Sequence, residues 1–148
     1  IFPDADRFDS QVITLDATQL RRLDESGVRA RSARWTLRVA KKGERTLGWV
    51  IVDDVIGKFE LISYAVGIAD DGSVRQIEIL SYRESHGSEI RLPAWRRQFA
   101  GRKPADPIQL GQDITNISGA TLSCRHVTEG VRRIASLVAL LRADGLTS

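Results

Sequence analysis

The stretch YAVGIADDGSVRQIEIL, Tyr64 to Leu80, decides the fold class. Two apolar runs flank ADDGS, Ala69 to Ser73, whose Asp-Gly pair supplies the positive φ that a tight reversal needs. Val74, Ile77, Ile79 and Leu80 carry the second arm. Arms joined by so short a turn pair as an antiparallel hairpin.

Upstream, the same period of two recurs. Trp35, Leu37 and Val39 alternate with polar residues, KKGER turns the chain, and LGWVIVDDV returns it as another hairpin. Gly57 breaks the pattern, and the strand leading into the Asp-Gly turn runs from Phe59 to Ala69. Trp35 and Trp49 read as core. Asp53-Asp54 reads as a strand end facing water, because a metal site would need further converging carboxylates. Before the strands, Asp16 to Glu25 has the spacing of a short helix through Leu15, Gln19, Leu20 and Leu23, with Gly27 as its stop. The first dozen residues are predicted to be extended or loose, with Phe2, Phe8 and Val12 as docking points.

Downstream come a polar loop, SYRESHGSEIR, a short helix around Ala94 to Phe99, and a connector from Gly101 to Gln112 that holds two prolines. The final helix is predicted over Ser118 to Arg142. Val127, Val131, Ile134, Val138 and Leu141 form its buried stripe, and Gly145 ends it. Arg125, Arg132 and Arg133 fall on its polar side, within reach of solvent or of an anion. This order gives an α+β fold: an antiparallel β-sheet with a short N-terminal helix and a long C-terminal helix packed on one face. One domain is expected over 1–148: 1–33 an N-terminal extension and helix, 34–82 the strands, 83–116 loop, short helix and connector, 117–148 the final helix and its entrance.

A chain of 148 residues suits one domain with a core that needs no staples. The net charge is +3, but acids are interspersed, and Arg21-Arg22 and Arg132-Arg133 are pairs rather than the blocks that bind nucleic acid. No nucleic-acid partner is expected; a mild positive field suits an anionic cofactor or partner. No apolar run approaches the roughly 18 residues of a membrane helix. The single cysteine, Cys124, excludes an internal disulfide. The chain opens at Ile1 and contains no methionine, as expected after removal of a secretory signal or an N-terminal anchor, or after trimming.

The chemistry gathers at the entrance of the final helix, in NISGATLSCRHVTEGVRR, Asn116 to Arg133. A helix start leaves amides unpaired and carries partial positive charge, which suits an anion, most often phosphate. Ser118 reads as the cap, Gly119 lets the backbone approach a ligand closely, and Thr121 and Ser123 add hydroxyls. A plain cap explains Ser118. It does not explain Gly119 inside a first turn, where glycine costs up to about 1 kcal/mol relative to alanine.

ISGATLS resembles the flavinylation motif of the FMN-binding domain family, S/T-G-A-T followed by any residue and S or T. That family includes flavin-carrying subunits of sodium-pumping NADH:quinone reductase and of Rnf complexes. A second region, Tyr64 to Ile90, is similar to the family's strand–turn–strand followed by an E-T-x-G-x-G loop, with Glu84, Ser85 and Gly87 in matching places. Together the two regions span roughly Gly57 to Val138. The resemblance implies FMN bound covalently through a phosphoester to Thr121, attached by an FMN transferase that uses FAD as donor. Ser118, Gly119, Ala120, Leu122 and Ser123 then surround the attachment point. Glu84, Ser85, His86 and Gly87, with Trp95 beside them, are expected next to the ring. It also implies a periplasmic or otherwise extracytoplasmic electron carrier, free or held to the membrane by a segment absent from this chain, exchanging electrons with membrane or periplasmic redox proteins. No Ser-His-Asp arrangement or acid pair stands out, so a carrier is expected rather than an enzyme with its own substrate. Two places depart from the family. Thr115 stands where an aspartate is usual, with Asp113 and Asn116 nearby, and Ser88-Glu89 replaces a residue followed by glycine.

His86 also reads as an exposed loop histidine, and Cys124 as a small buried thiol. Cys124, His126 and His86 are too few for a zinc site, and no metal is expected. Two other readings stand beside the covalent one. In one, the domain binds a partner or anion without cofactor and S-G-A-T only caps a helix. In the other, FMN is held non-covalently in a flavin reductase-like role.

Overall fold

The alternating segments pair in sequence order. In the computed structural model, which describes residues 1–145, five strands form one antiparallel sheet of order β1-β2-β3-β4-β5. They are β1 Arg7–Thr14, β2 Arg34–Lys42, β3 Arg45–Ile56, β4 Leu61–Ala69 and β5 Val74–Ser81. Residues 146–148, the end of the last predicted segment, lie outside the described residues. Helix α1 (Ala17–Glu25) connects β1 to β2. A 3-10 turn (Ser88–Arg91), helix α2 (Pro93–Arg96) and a second 3-10 turn (Arg97–Phe99) follow β5, and helix α3 (Thr121–Ala143) closes the chain. The predicted α+β class and antiparallel sheet are what the structure has.

The pairing register explains which side is core. Val39 faces Trp49, Trp49 faces Ile68, and Val66 faces Ile77, so these side chains share one face. Leu37, Ile51, Ile62 and Tyr64 are buried on that same face, and α3 packs across β3 and β4 there. The predicted stripe of α3, Val127, Val131, Ile134, Val138 and Leu141, is buried against it. Burial of this stripe, at about 25 cal/mol per Å² of apolar area, is what makes so long a helix stable. Trp35 and Trp49 are core, as expected.

In the N-terminal segment the extended alternative holds. Arg7–Thr14 is an edge strand paired along its length with β2, so the sheet begins before the segment assigned to the strands. Phe2 docks and is buried, but Phe8 and Val12 stay about half exposed. They pair with Ala40 and Thr36, on the sheet face turned away from Leu37 and Val39. Period two puts alternate residues on opposite faces, so both fall on the side that α3 does not cover.

Three further boundaries move. Strand β4 begins at Leu61, leaving Phe59 in the turn. The helix expected over Ala94 to Phe99 splits into α2 and a 3-10 turn. Helix α3 starts at Thr121 rather than Ser118. Nor is Asp53 a strand end in water. Its carboxylate accepts from the buried Tyr64 hydroxyl at 2.8 Å and lies 3.7 Å from Arg31 and 4.0 Å from Arg133. Burial, and then the Asp53 charge, push the Tyr64 phenol far above its ordinary range. Arg133 is correspondingly tucked in, donating from Nε to the Arg29 carbonyl at 2.8 Å, rather than solvated on an outer face.

Candidate functional site

Three segments converge where β3 and β4 turn. The Gly57–Glu60 turn, the loop after β5 and the entrance of α3 wall an open cavity of about 330 Å³. Lys58, Phe59, Glu84, Ser85 and His86 line one side, and Gly119, Ala120, Thr121, Leu122 and Ser123 the other. Sequence reading expected the second group and most of the first. It missed Lys58, which carries no motif, and Phe59, which reads as a strand start. The signal that could have found them is Gly57, which ends the strand period just before them.

Glu84 ties the first two segments together. Its Oε1 accepts from the Phe59 amide at 2.5 Å and the Glu60 amide at 2.7 Å. The Glu60 amide first, and then that of Phe59, hold the Glu84 carboxyl below its ordinary value. Phe59 is thereby presented to solvent, 77% exposed, with the Lys58 ammonium 5.2 Å from its ring centroid. His86 is exposed, and its carbonyl accepts from the Tyr82 hydroxyl.

Gly87 does not line the cavity; it sets the distance between loop and helix. Its φ is +89°, and a Cβ there would fall 2.2 Å from the Ala120 Cβ. Only glycine serves a left-handed position pressed so closely on a neighbour. Gly119 has a φ of +83° and lies in the turn before α3, not inside its first turn. The helix cost expected for it does not arise, because the backbone conformation itself calls for glycine.

Ser118 is not the cap. Ala120 holds that place, and no side chain caps α3. Thr121 is the first helical residue and is exposed at the cavity wall. Its Oγ1 accepts from Asn116 Nδ2 at 3.0 Å. Ser123 is buried, its Oγ 3.4 Å from the Tyr82 hydroxyl. Cys124 is buried behind the wall, and burial pushes its thiol up.

Trp95 is not beside the cavity. It is buried, stacks edge-on with Phe99 at 5.1 Å, and donates from Nε1 to the Thr115 carbonyl at 2.8 Å. Asp113 also turns away from the helix entrance, accepting from the Ile108 amide at 3.0 Å and the Gln109 amide at 2.8 Å. Burial works to raise its carboxyl, but these amides outweigh it and hold the group charged. Arg125 is exposed and outside the cavity. Among the described residues, no three His, Cys, Asp or Glu side chains gather as a metal site requires.

The family model of the FMN-binding domain matches residues 57–136, from the cavity's first wall to well beyond its last. The chain belongs to the FMN-binding domain family. One component of the proton-translocating ferredoxin:NAD(+) oxidoreductase complex of Clostridium ljungdahlii is 29% identical over 107 residues, which cover 67% of this chain and 57% of that component. The chain thus spans little more than half the length of that relative. The crystal structure of Shewanella oneidensis NqrC shares the fold, with a TM-score of 0.66 at 13% identity, over 93% of this chain and 85% of that one. Family membership makes FMN the cofactor against which the cavity is to be judged. The cavity residues fit such a group. Phe59 and Leu122 offer exposed apolar surface for a ring, and the uncapped first turn of α3, with Lys58, offers donors and positive charge for a phosphate.

Proposed function

We propose that this domain is an electron carrier that holds FMN covalently through a phosphoester to Thr121 Oγ1. The observation that carries the reading is the state of Thr121. It is an exposed hydroxyl on the cavity wall, at the first position of an uncapped helix, inside the family-matched segment. The bound flavin supplies the electron chemistry, and the protein supplies placement and electrostatics. The amides at the start of α3 orient and partly neutralise the phosphate. Phe59 and Leu122 keep water from the ring, and Lys58 adds positive charge for the phosphate. Glu84, Ser85 and His86 form the opposing wall, with Glu84 and, behind the wall, Gly87 fixing its position and His86 open to the ring's polar edge. An ester bond serves a carrier that meets partners repeatedly without losing its cofactor.

In this reading an FMN transferase with FAD as donor matures the domain. Its partners are membrane or periplasmic redox proteins, as befits a chain similar to a component of a ferredoxin:NAD(+) oxidoreductase complex. It works outside the cytoplasm and needs no substrate of its own. Among the described residues no helix is long and apolar enough to cross a membrane. Co-production with an FMN transferase, followed by denaturation and desalting, tests the reading. The expected result is yellow colour that stays with the unfolded chain. Colour that washes away would mean non-covalent FMN, and a colourless protein would favour a cofactor-free module.

A further inference from the structure

Among the described residues, Asn116 is the one whose side chain is hydrogen-bonded to the Thr121 hydroxyl, and nothing in the family motif asks for it. Its Nδ2 donates to Thr121 Oγ1 at 3.0 Å, across the turn that carries Ser118 and Gly119. The turn closes with the Ala120 amide on the Ile117 carbonyl at 3.0 Å. Asn116 is itself held from behind. The Thr115 amide donates to Gln98 Oε1 at 2.8 Å, and the Thr115 carbonyl accepts from Trp95 Nε1 at 2.8 Å. A buried tryptophan thus fixes the backbone from which Asn116 reaches the hydroxyl.

Three hydroxyls surround the entrance of α3, and their states differ. Ser118 is exposed and caps nothing. Ser123 is buried and turned to Tyr82. Of the three, only Thr121 is both open to the cavity and gripped by an amide donor. A helical threonine otherwise divides between two χ1 rotamers.

We propose that Asn116 is a positioning residue for flavin attachment, holding Thr121 Oγ1 in the reactive rotamer and so selecting it over Ser118 and Ser123. The proposal rests on the covalent reading above. The amide N–H occupies one lone pair of Oγ1 and leaves the hydroxyl proton and the other lone pair free. The hydroxyl oxygen attacks the flavin-side phosphorus of a flavin adenine dinucleotide. The Oγ1–P bond forms, the pyrophosphate P–O bond breaks, and adenosine monophosphate leaves with the bridging oxygen. The threonine proton passes to a base of the transferase, and nothing is oxidised or reduced. The Asn116 donor favours the negative charge that builds on Oγ1 as the proton departs.

The test follows mass gain over time with purified FMN transferase and FAD, for flavin-free wild type, Asn116→Ala, Asn116→Asp, Asn116→Gln and Thr121→Ala. Peptide mapping of the products locates the flavin. Asn116→Ala is expected to gain flavin about tenfold more slowly, the effect of one lost hydrogen bond, with part of its product on Ser118 and an unchanged thermal midpoint. Asn116→Asp, a charged acceptor without a donor, is expected to be slower still, and Asn116→Gln to recover part of the rate. Wild-type rates at Thr121 in both Asn116→Ala and Asn116→Asp, with Thr121→Ala inert, would overturn the role of Asn116 and leave the covalent reading standing. Wild type that gains nothing on Thr121 would overturn the covalent reading and this proposal with it. Should Asn116→Ala fail to fold, Asn116→Ser, which is short of the same reach, replaces it in the comparison.

Discussion

Helix α1 is nine residues long and opens with its amides served by a side-chain cap, whereas α3, with 23 residues, opens with none. At α1, Asp16 accepts from the Gln19 amide at 2.8 Å, and Gln19 Oε1 accepts from the Asp16 amide at 3.0 Å. That reciprocal pair is a complete capping box. At α3, Ala120 stands at the cap and no acid lies in the first turn. A short helix with one buried residue needs its cap, while α3 is held by a buried stripe that reaches from Val127 to Leu141. Packing frees the α3 entrance from a structural duty, so its donors stay available to an anion from outside the chain.

The comparison can be broken most severely at Gly87. Gly87→Ala puts a side chain in a left-handed position and a Cβ 2.2 Å from that of Ala120. The expected loss is about 3 kcal/mol in denaturant unfolding, along with loss of flavin loading. Asp16→Ala removes the cap of α1. It should cost about 1 kcal/mol and leave flavin loading unchanged, which separates the structural entrance from the functional one. Leu122→Glu supplies the first-turn acid that α3 lacks. It should stabilise the flavin-free domain by about 0.5 kcal/mol through the helix dipole, yet reduce loading by opposing the phosphate.

The smallest effect is expected from Glu84→Gln, and it depends on pH. The amides of Glu60 and Phe59 hold the Glu84 carboxyl below its ordinary value of 4.5. A lowered folded-state value means that the stabilisation is fully present above pH 4.5 and is lost as pH falls through the lower, folded value. The gap in thermal midpoint between wild type and Glu84→Gln should therefore be open at neutral pH and close on acidification.

The sheet was legible because Trp35-Leu37-Val39 and the Asp-Gly hairpin obey a period of two, and the helices because their apolar residues recur at three and four. Legibility failed where tertiary contacts decide. Asp53 reads as a surface acid until Tyr64, Arg31 and Arg133, distant in sequence, arrive around it. Trp95 reads as a ring neighbour from its place after the Glu84 loop, but its indole is spent on Thr115. The motif located the Thr121 wall of the cavity. Phe59 stayed hidden because an aromatic just past the Gly57 break reads as the first residue of a strand, and Lys58 because a lone lysine between them carries no pattern. Asn116 was visible only as a departure from the family pattern, since its contact with Thr121 depends on the left-handed turn at Gly119.

The most direct measurement of the central claim is intact mass with peptide mapping, on protein produced beside an FMN transferase. The account predicts a gain of one FMN less one water, located on the peptide that contains Thr121 and absent from Thr121→Ala. An unmodified Thr121 peptide in protein fully exposed to an active transferase would contradict it.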